Sequence, residues 1–558
     1  MPVTDPVRVD YGEVFTRQWV VEAILDLVGY TSDRDLTTAT IVEPSVGSGA
    51  FIGPIVERLV ESAQKQGVRF RDLAGAVRGY DLQATQVEAT RELVAQLLKD
   101  AGASPAEASS MARTWVGQAD FLLDDIDTPA DFVVGNPPYI RSDDLDEAVQ
   151  HAYRQRWYTM WGRADIFVGF YERSLSMLKP DGKLGFICAD RWMRNSYGAR
   201  LRKLVADEFA IESIWQMHDV DAFEAEVSAY PAITVLGNHQ QGQAVIVDTT
   251  AAFNEAGARA AIDFVRSSES ASAGSGWMGA RLDDWFEGDD LWPAGHPETI
   301  RLLEYLNEKF PRLEETGGTT KVSIGVASGA DKAYIVHPSA DVESDRLLPL
   351  VMADDIRGGV VGEPGRVLIN PWDENGNLVD LSSYPRMKKA LLEHAAVKKR
   401  FVARKNPDKW HRTIDKVYPG IADKPKLLLQ DMKAQITPVY EPGGLYPHHN
   451  LYYIVSTGWD LEVLGGLLLG RVAEAFIDAY GVKMRGGTLR FQAQYLRKIR
   501  VPAPETIRDE LASQLREAFR ARDRAAATRA SEAAYGLAEG TMDAIARSKL
   551  VGRPALRS

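Results

Sequence analysis

The run Ile41-Val42-Glu43-Pro44-Ser45-Val46-Gly47-Ser48-Gly49-Ala50-Phe51 limits the folds open to this chain more than any other stretch. Apolar residues lead into a turn with two closely spaced glycines, and a helical pattern follows. Glycine lets a backbone turn sharply and approach a ligand closely. Strand, glycine-rich turn and helix together open a βαβ unit, which belongs in a parallel sheet covered by helices. Such sheets hold their ligands outside the carboxyl ends of the strands.

A second run, Asp131-Phe132-Val133-Val134-Gly135-Asn136-Pro137-Pro138-Tyr139, reads as a strand ending in a stiff turn. The two prolines fix their own φ and donate no N–H. Asn136 brings a side-chain carbonyl, and Pro137 a backbone carbonyl with no N–H beside it. Two acceptors held close together can grip one amino group. Tyr139 can lie against a flat ring next to that group. A Pro-Pro turn alone is an ordinary loop, and a lone glycine-rich turn is a weak signal. The two in this order are specific.

Glu43-Pro-x-x-Gly47-x-Gly49 followed by Asn136-Pro-Pro-Tyr139 resembles the gamma-class N6-adenine DNA methyltransferases of restriction–modification systems. The resemblance implies a doubly wound, Rossmann-like α/β domain that binds S-adenosylmethionine. It also implies a C-terminal α+β target-recognition domain, to which a helical tail is added here. The expected activity is methyl transfer to the N6 amine of an adenine flipped out of duplex DNA.

The same resemblance assigns roles residue by residue. A Phe-Thr-Pro segment contacts the methionine part of the cofactor in this family. Here it is Phe15 and Thr16, with Arg17 where proline is usual. Thr16 is also placed to cap the helix that starts near Trp19. Glu43 braces the Gly47–Gly49 turn. Asp81, ending the strand from Ala76, takes the ribose hydroxyls. Its distance from Gly49 is longer than usual, which an inserted segment around Gln64 to Asp72 explains. Asp120 faces the cofactor's adenine amine, and Phe121 packs on that ring. Asn136, Pro137 and Tyr139 form the catalytic turn, and Phe223 packs on the target base opposite Tyr139. On local evidence Phe223 reads equally well as a core residue before the strand Ala232 to Leu236.

Composition bears on partners. With 558 residues the chain has room for two to four domains. It has no apolar run of membrane-spanning length and no signal-like apolar core in Met1 to Asp10, so a cytoplasmic protein with no membrane partner is expected. Cys188 is the only cysteine, so neither a disulfide nor a zinc cluster is expected, and no other metal site is. It follows Ile187 rather than a proline, which disfavours the cysteine chemistry of cytosine C5 methylation. Cytosine N4 methylation tends to accompany Ser or Asp in place of Asn136.

A net charge of −13 argues against a nucleic-acid partner unless the charge is segregated. It is segregated: from Arg386 to Lys433 there are fourteen Lys/Arg against five Asp/Glu. Arg400, Arg404, Lys405, Lys409, Arg412, Lys424 and Lys426, interleaved with aromatics such as Trp410, are the expected contacts to double-stranded DNA. A solvated basic face is the plainer alternative.

The expected domains are a catalytic domain over 1–265, a Ser/Ala/Gly-rich linker over 266–276, a target-recognition domain over 277–504 and a helical tail over 505–558. The segment Val322 to Val336 resembles the opening of the family's recognition domain, and the tail is expected to pack rather than do chemistry. Few residues precede Phe15, and the tail is short and lacks an acidic cluster, so no fused nuclease is expected. A separate cognate restriction endonuclease then becomes a partner, and a monomer is favoured. Two other functions compete with this reading. One is a non-catalytic DNA-binding component of a phage-defence complex. The other is a protein-glutamine methyltransferase, whose resemblance ends near Leu236.

Overall fold

The structure, a computed structural model, describes residues 16–551 apart from 225–229, 284, 287, 316–317, 434, 482 and 485–487. Strands β1 (Ile41–Glu43), β2 (Val77–Asp81), β3 (Val116–Gln118), β4 (Ala130–Gly135), β5 (Leu178–Ala189), β6 (Ala210–Gln216), β7 (Pro231–Gly237), β8 (Ala244–Thr249), β9 (Ala271–Gly274) and β10 (Trp277–Leu282) form one sheet. Their order is β3-β2-β1-β4-β5-β7-β6-β8-β10-β9. The first five neighbours run parallel, and β7 lies antiparallel between β5 and β6. The order reverses between β1 and β4, so the ends of those two strands flank the crevice where doubly wound sheets bind ligands.

Side chains alternate across this sheet as the two-residue period of a strand requires. Ile41 of β1 and Phe132 and Val134 of β4 face one apolar cluster, with the helices α1 (Gln18–Val28) and α2 (Ile52–Gln66). Val42, Val133, Phe186 and Cys188 face the other. Burying both faces explains why the strands are near-continuous apolar runs. The long interval before Asp81 is filled by the length of α2 and a 3-10 turn, Phe70–Leu73.

Two domain expectations need correction. Residues 266–276 are not a linker: β9 pairs with β10, which pairs with β8, so this stretch is the edge of the ten-stranded sheet. Small polar residues look flexible by composition, but here they form an edge strand hydrogen-bonded to β10, where Trp277 is buried. The chain divides into two compact units at Ile300/Arg301 rather than near residue 265.

The second unit, Arg301–Ala546, holds two four-stranded sheets. In one, Thr320–Ile324, Leu451–Ser456, Lys426–Gln430 and Val439–Glu441 lie side by side and antiparallel. The tail as far as Ala546 is part of this unit. Asp509–Ala521 packs on Leu461–Leu469 so closely that a Cβ on Gly466 would stand 2.4 Å from the Leu515 carbonyl oxygen. Among the described residues no helix is long and apolar enough to cross a membrane.

Candidate active site

The turn after β1 is tied down from both sides. Val46 N–H donates to the Tyr80 carbonyl at 2.9 Å, and Thr90 Oγ1 donates to the Gly47 carbonyl at 2.9 Å. Asp81, the last residue of β2, accepts the Gly47 N–H at 2.9 Å and the Gln83 N–H at 2.9 Å. These bonds hold its carboxylate at the lip of the turn. Gly47 has φ +48°, and no atom lies within 4 Å of where a Cβ would stand. A side chain there would be strained and would fill that open space.

Glu43 lies beneath the turn and is buried. Burial, and then the negative field of Asp81, push its carboxyl well above the usual range, although the Ile52 N–H hydrogen bond acts the other way. Its Oε2 has no hydrogen-bond partner among the described residues. An orphaned acid oxygen, an open glycine turn and a carboxylate at the next strand end fit a ribose-bearing, cationic ligand.

Further along, Asp120 accepts the Leu122 N–H at 2.8 Å and the Tyr153 hydroxyl at 3.0 Å. The Phe121 ring does not stand open beside it. It is buried and stacked on Phe170, with centroids 5.2 Å apart and planes 27° off parallel, and Arg173 lies 5.0 Å from its centroid. The apolar ring wins more from the core than from exposure, so it packs inward.

At the end of β4, Asn136 Nδ2 donates to Thr16 Oγ1 at 3.2 Å, and the Asn136 backbone carbonyl accepts from Ser45 Oγ at 3.2 Å. The first bond turns the amide so that its nitrogen faces Thr16 and its acceptor oxygen faces away. Thr16 does not cap α1, whose N-cap is Arg17 with no side-chain bond. Thr16 instead forms an isolated antiparallel bridge with Phe223. Arg17 N–H donates to the Ala222 carbonyl at 3.0 Å, a bond that a proline at this position could not make. Its guanidinium pairs with Asp221 at 2.6 Å. The departure from Phe-Thr-Pro therefore stitches α1 to the loop that carries Phe223. Phe15 lies outside the described residues.

Tyr139 and Phe223 meet edge to face, with centroids 6.2 Å apart and planes at 83°. A base stacked between two rings needs them about 7 Å apart, twice an ordinary stacking separation of about 3.5 Å. Here the two rings pack on each other instead, so one must turn and the gap widen for a base to lie between them. Burial pushes the Tyr139 hydroxyl well above its usual range, and its oxygen has no partner among the described residues. Cys188 is buried behind this site, 3.2 Å from the Tyr171 hydroxyl, and burial pushes its thiol up to about 12. It cannot serve as a thiolate nucleophile.

Sequence reading missed the bonds that hold these groups: Ser45, Thr90, the Arg17–Asp221 pair, and a buried Asp190–Arg194–His218 cluster beside them. Apart from the Asp190–Arg194 pair, four residues apart, none has a local signal, because each partner lies in a distant part of the chain.

The basic stretch of the second unit separates into two groups. Arg404, Lys405, Lys409 and Lys424 are exposed. Arg400 and Lys426 are corrections to the expected DNA contacts. Arg400 is buried, donating to the carbonyls of Val397, Ser328 and Trp410 and stacking its guanidinium 4.9 Å from the Tyr334 centroid. Lys426 is buried against Glu441, its cross-strand neighbour, and also donates to the Ala422 carbonyl. Buried and fully engaged, neither can reach a phosphate. Arg412 is half-buried, 5.8 Å from the Trp372 centroid. The segment Arg191–Arg194, the other basic run beside the sheet, is mostly buried too, and Arg191 pairs with Asp165.

Comparison with known proteins agrees with this geometry. Residues 78–223 match the family model of the Eco57I restriction-modification methylase. The chain is 42% identical to the type II methyltransferase M.XhoI of Xanthomonas vasicola, over 96% of this chain and 99% of that one. It is also 42% identical to the type II methyltransferase M.PaeR7I of Pseudomonas aeruginosa, over 96% of this chain and 93% of the relative. Among solved structures, the type IIL restriction-modification enzyme MmeI in complex with DNA shares the fold, with a TM-score of 0.55 at 12% identity. That match covers 97% of this chain and 74% of the other.

Proposed function

Since the chain belongs to the type II DNA methyltransferases of restriction–modification systems, with S-adenosylmethionine as cofactor, we propose that it methylates the N6 amine of an adenine flipped out of duplex DNA. The observation that carries this reading is the Asn136-Pro-Pro-Tyr139 turn, its amide oriented by Thr16 and its tyrosine facing Phe223. When bound, the cofactor supplies a methyl group on a sulfonium centre.

An exocyclic amine is a poor nucleophile, because its lone pair is delocalised into the ring. The Asn136 side-chain carbonyl and the Pro137 backbone carbonyl accept its two hydrogens and favour the pyramidal, positively charging amine of the transition state. A paired base cannot reach such a pocket, so it must leave the stack. Tyr139 and Phe223 then take its two faces. Glu43 and Asp81 set the glycine turn so that the reacting atoms stand in line. The buried Cys188 thiol speaks against a covalent cytosine mechanism. Long-read sequencing of DNA from cells expressing the protein tests the reading: modified adenines should appear at one short motif, and unmodified adenines throughout would contradict it.

Asp81→Ala should weaken S-adenosylmethionine binding by about ten- to a hundredfold, since charged hydrogen bonds of about 1.5–3 kcal/mol disappear. Calorimetry should show a much smaller change in DNA affinity. The opposite order would mean that the ribose carboxylate lies elsewhere.

The second unit is read as the target-recognition domain, with Arg404, Lys405, Lys409 and Lys424 contacting phosphates. Changing Arg404, Lys405 and Lys409 together to Gln should flatten the fall of log affinity with log salt by about 0.9 for each phosphate no longer neutralised. Phosphate contacts carry no sequence information, so the methylated motif should not change. An unaltered slope would move the DNA face off this stretch.

A further inference from the structure

We propose that Asp190 and His218 are positioning residues for the target-base pocket, holding the segment that carries Phe223 in place against Tyr139. The inference rests on the reading of those two rings as the walls around the flipped base.

Asp190 directly follows β5, the neighbour in the sheet of the strand that carries Asn136. It is 4% exposed. Its Oδ2 accepts from His218 Nε2 at 2.6 Å and from an Arg194 guanidinium nitrogen at 2.8 Å. Its backbone N–H donates to the Tyr230 carbonyl at 3.0 Å. One buried residue therefore grips positions 218 and 230, and Phe223 lies between them. Met217 N–H donates to the Pro231 carbonyl at 2.9 Å and closes the neck of the same segment. The His218 ring packs edge-on against Tyr230, with centroids 5.0 Å apart.

The division of labour in the cluster is what points to positioning. A buried carboxylate is costly unless it is paired. Arg194, four residues on and itself buried, supplies that pairing from Asp190's own neighbourhood. His218 therefore ranks second to Arg194 in offsetting the charge. What it adds is a bond across 28 residues, from the sheet to the start of the loop. Burial tends to raise the Asp190 carboxyl, but Arg194 and His218 outweigh it and hold the group below its usual range. Asp190 thus stays an ionised acceptor. On the far side of the loop, Thr16 bridges Phe223 and Arg17 holds Ala222, so the ring is placed from two directions.

The test uses the full-length enzyme and a duplex carrying its mapped site. Single-turnover methylation is measured on the matched duplex and on one with the target adenine mispaired, from which the base leaves at lower cost. His218→Ala should slow the matched reaction by about ten- to a hundredfold, the usual consequence of a small misplacement, and slow the mispaired one far less. Both rates come from one preparation, so their ratio does not depend on how much of the variant is folded. With 2-aminopurine at the target position, the fluorescence rise on binding should shrink, while S-adenosylmethionine affinity by calorimetry is unchanged. His218→Gln, which keeps an N–H for Asp190, should recover most of the matched rate. Equal slowing on both duplexes, or a full fluorescence rise in His218→Ala, would overturn the proposal. Phe223→Ala separates the two layers. If it leaves rate and fluorescence untouched, the reading of Phe223 fails and takes the proposal with it. If it acts and His218→Ala does not, only the positioning role fails.

Discussion

Asn136→Ala should lower methyl transfer by about 10²- to 10³-fold, the cost of removing one well-placed group that stabilises developing charge. S-adenosylmethionine should still bind, because the Gly47–Gly49 turn and Asp81 are held by their own bonds to Val46, Thr90 and Gln83. The loss should fall on the chemical step, since the acceptor matters most as the amine turns pyramidal. Single-turnover transfer from labelled cofactor, set beside calorimetry, separates the two. Turnover near that of the unmodified enzyme would remove Asn136 from the reaction.

Lys426→Ala should destabilise the second unit by about 3–5 kcal/mol, because it strands a buried Glu441 carboxylate without its partner. Replacing both, as Lys426→Met with Glu441→Leu, should cost far less, since the desolvation of both charges goes with the pair. Denaturant unfolding followed by a probe in this unit reads both effects. A folded Lys426→Ala protein with an unshifted midpoint and a flatter salt dependence of DNA binding would return Lys426 to the DNA face.

The contrast between these two residues shows what a linear chain discloses. Asn136 sits in a motif whose chemistry is local: two prolines, an amide and a ring within a few residues define what the turn can hold. The glycine turn is local in the same way, because Gly47 needs its positive φ whatever packs around it. Asp81 follows from where the second strand must end. The parallel sheet follows from the order of strands, turns and helices.

Lys426 and Arg400 are misread from sequence because residue type reports charge and not burial. Lys426 is paired by strand register with Glu441, fifteen residues away across a loop, and only the folded sheet brings them together. Arg400 is taken up by the carbonyls of Ser328 and Trp410 as well as by that of nearby Val397. The stretch 266–276 is misread for the converse reason: its composition is that of a linker, but an edge strand tolerates the same small residues. Phe223 is placed in the sequence only by resemblance. Its bridge to Thr16 joins residues far apart in the first unit and leaves no trace in local pattern. Arg17 looks like a defect in a motif, yet its N–H is what reaches Ala222.

The central claim is the identity of the methylated atom, and the direct measurement is made on the product. DNA methylated in vitro by the purified enzyme with S-adenosylmethionine is digested to nucleosides, which are separated and weighed by mass spectrometry. The account predicts N6-methyladenosine in its deoxy form as the new nucleoside, formed about 10²- to 10³-fold more slowly when Asn136→Ala replaces the enzyme. Methylation found on cytosine, at C5 or N4, would contradict it.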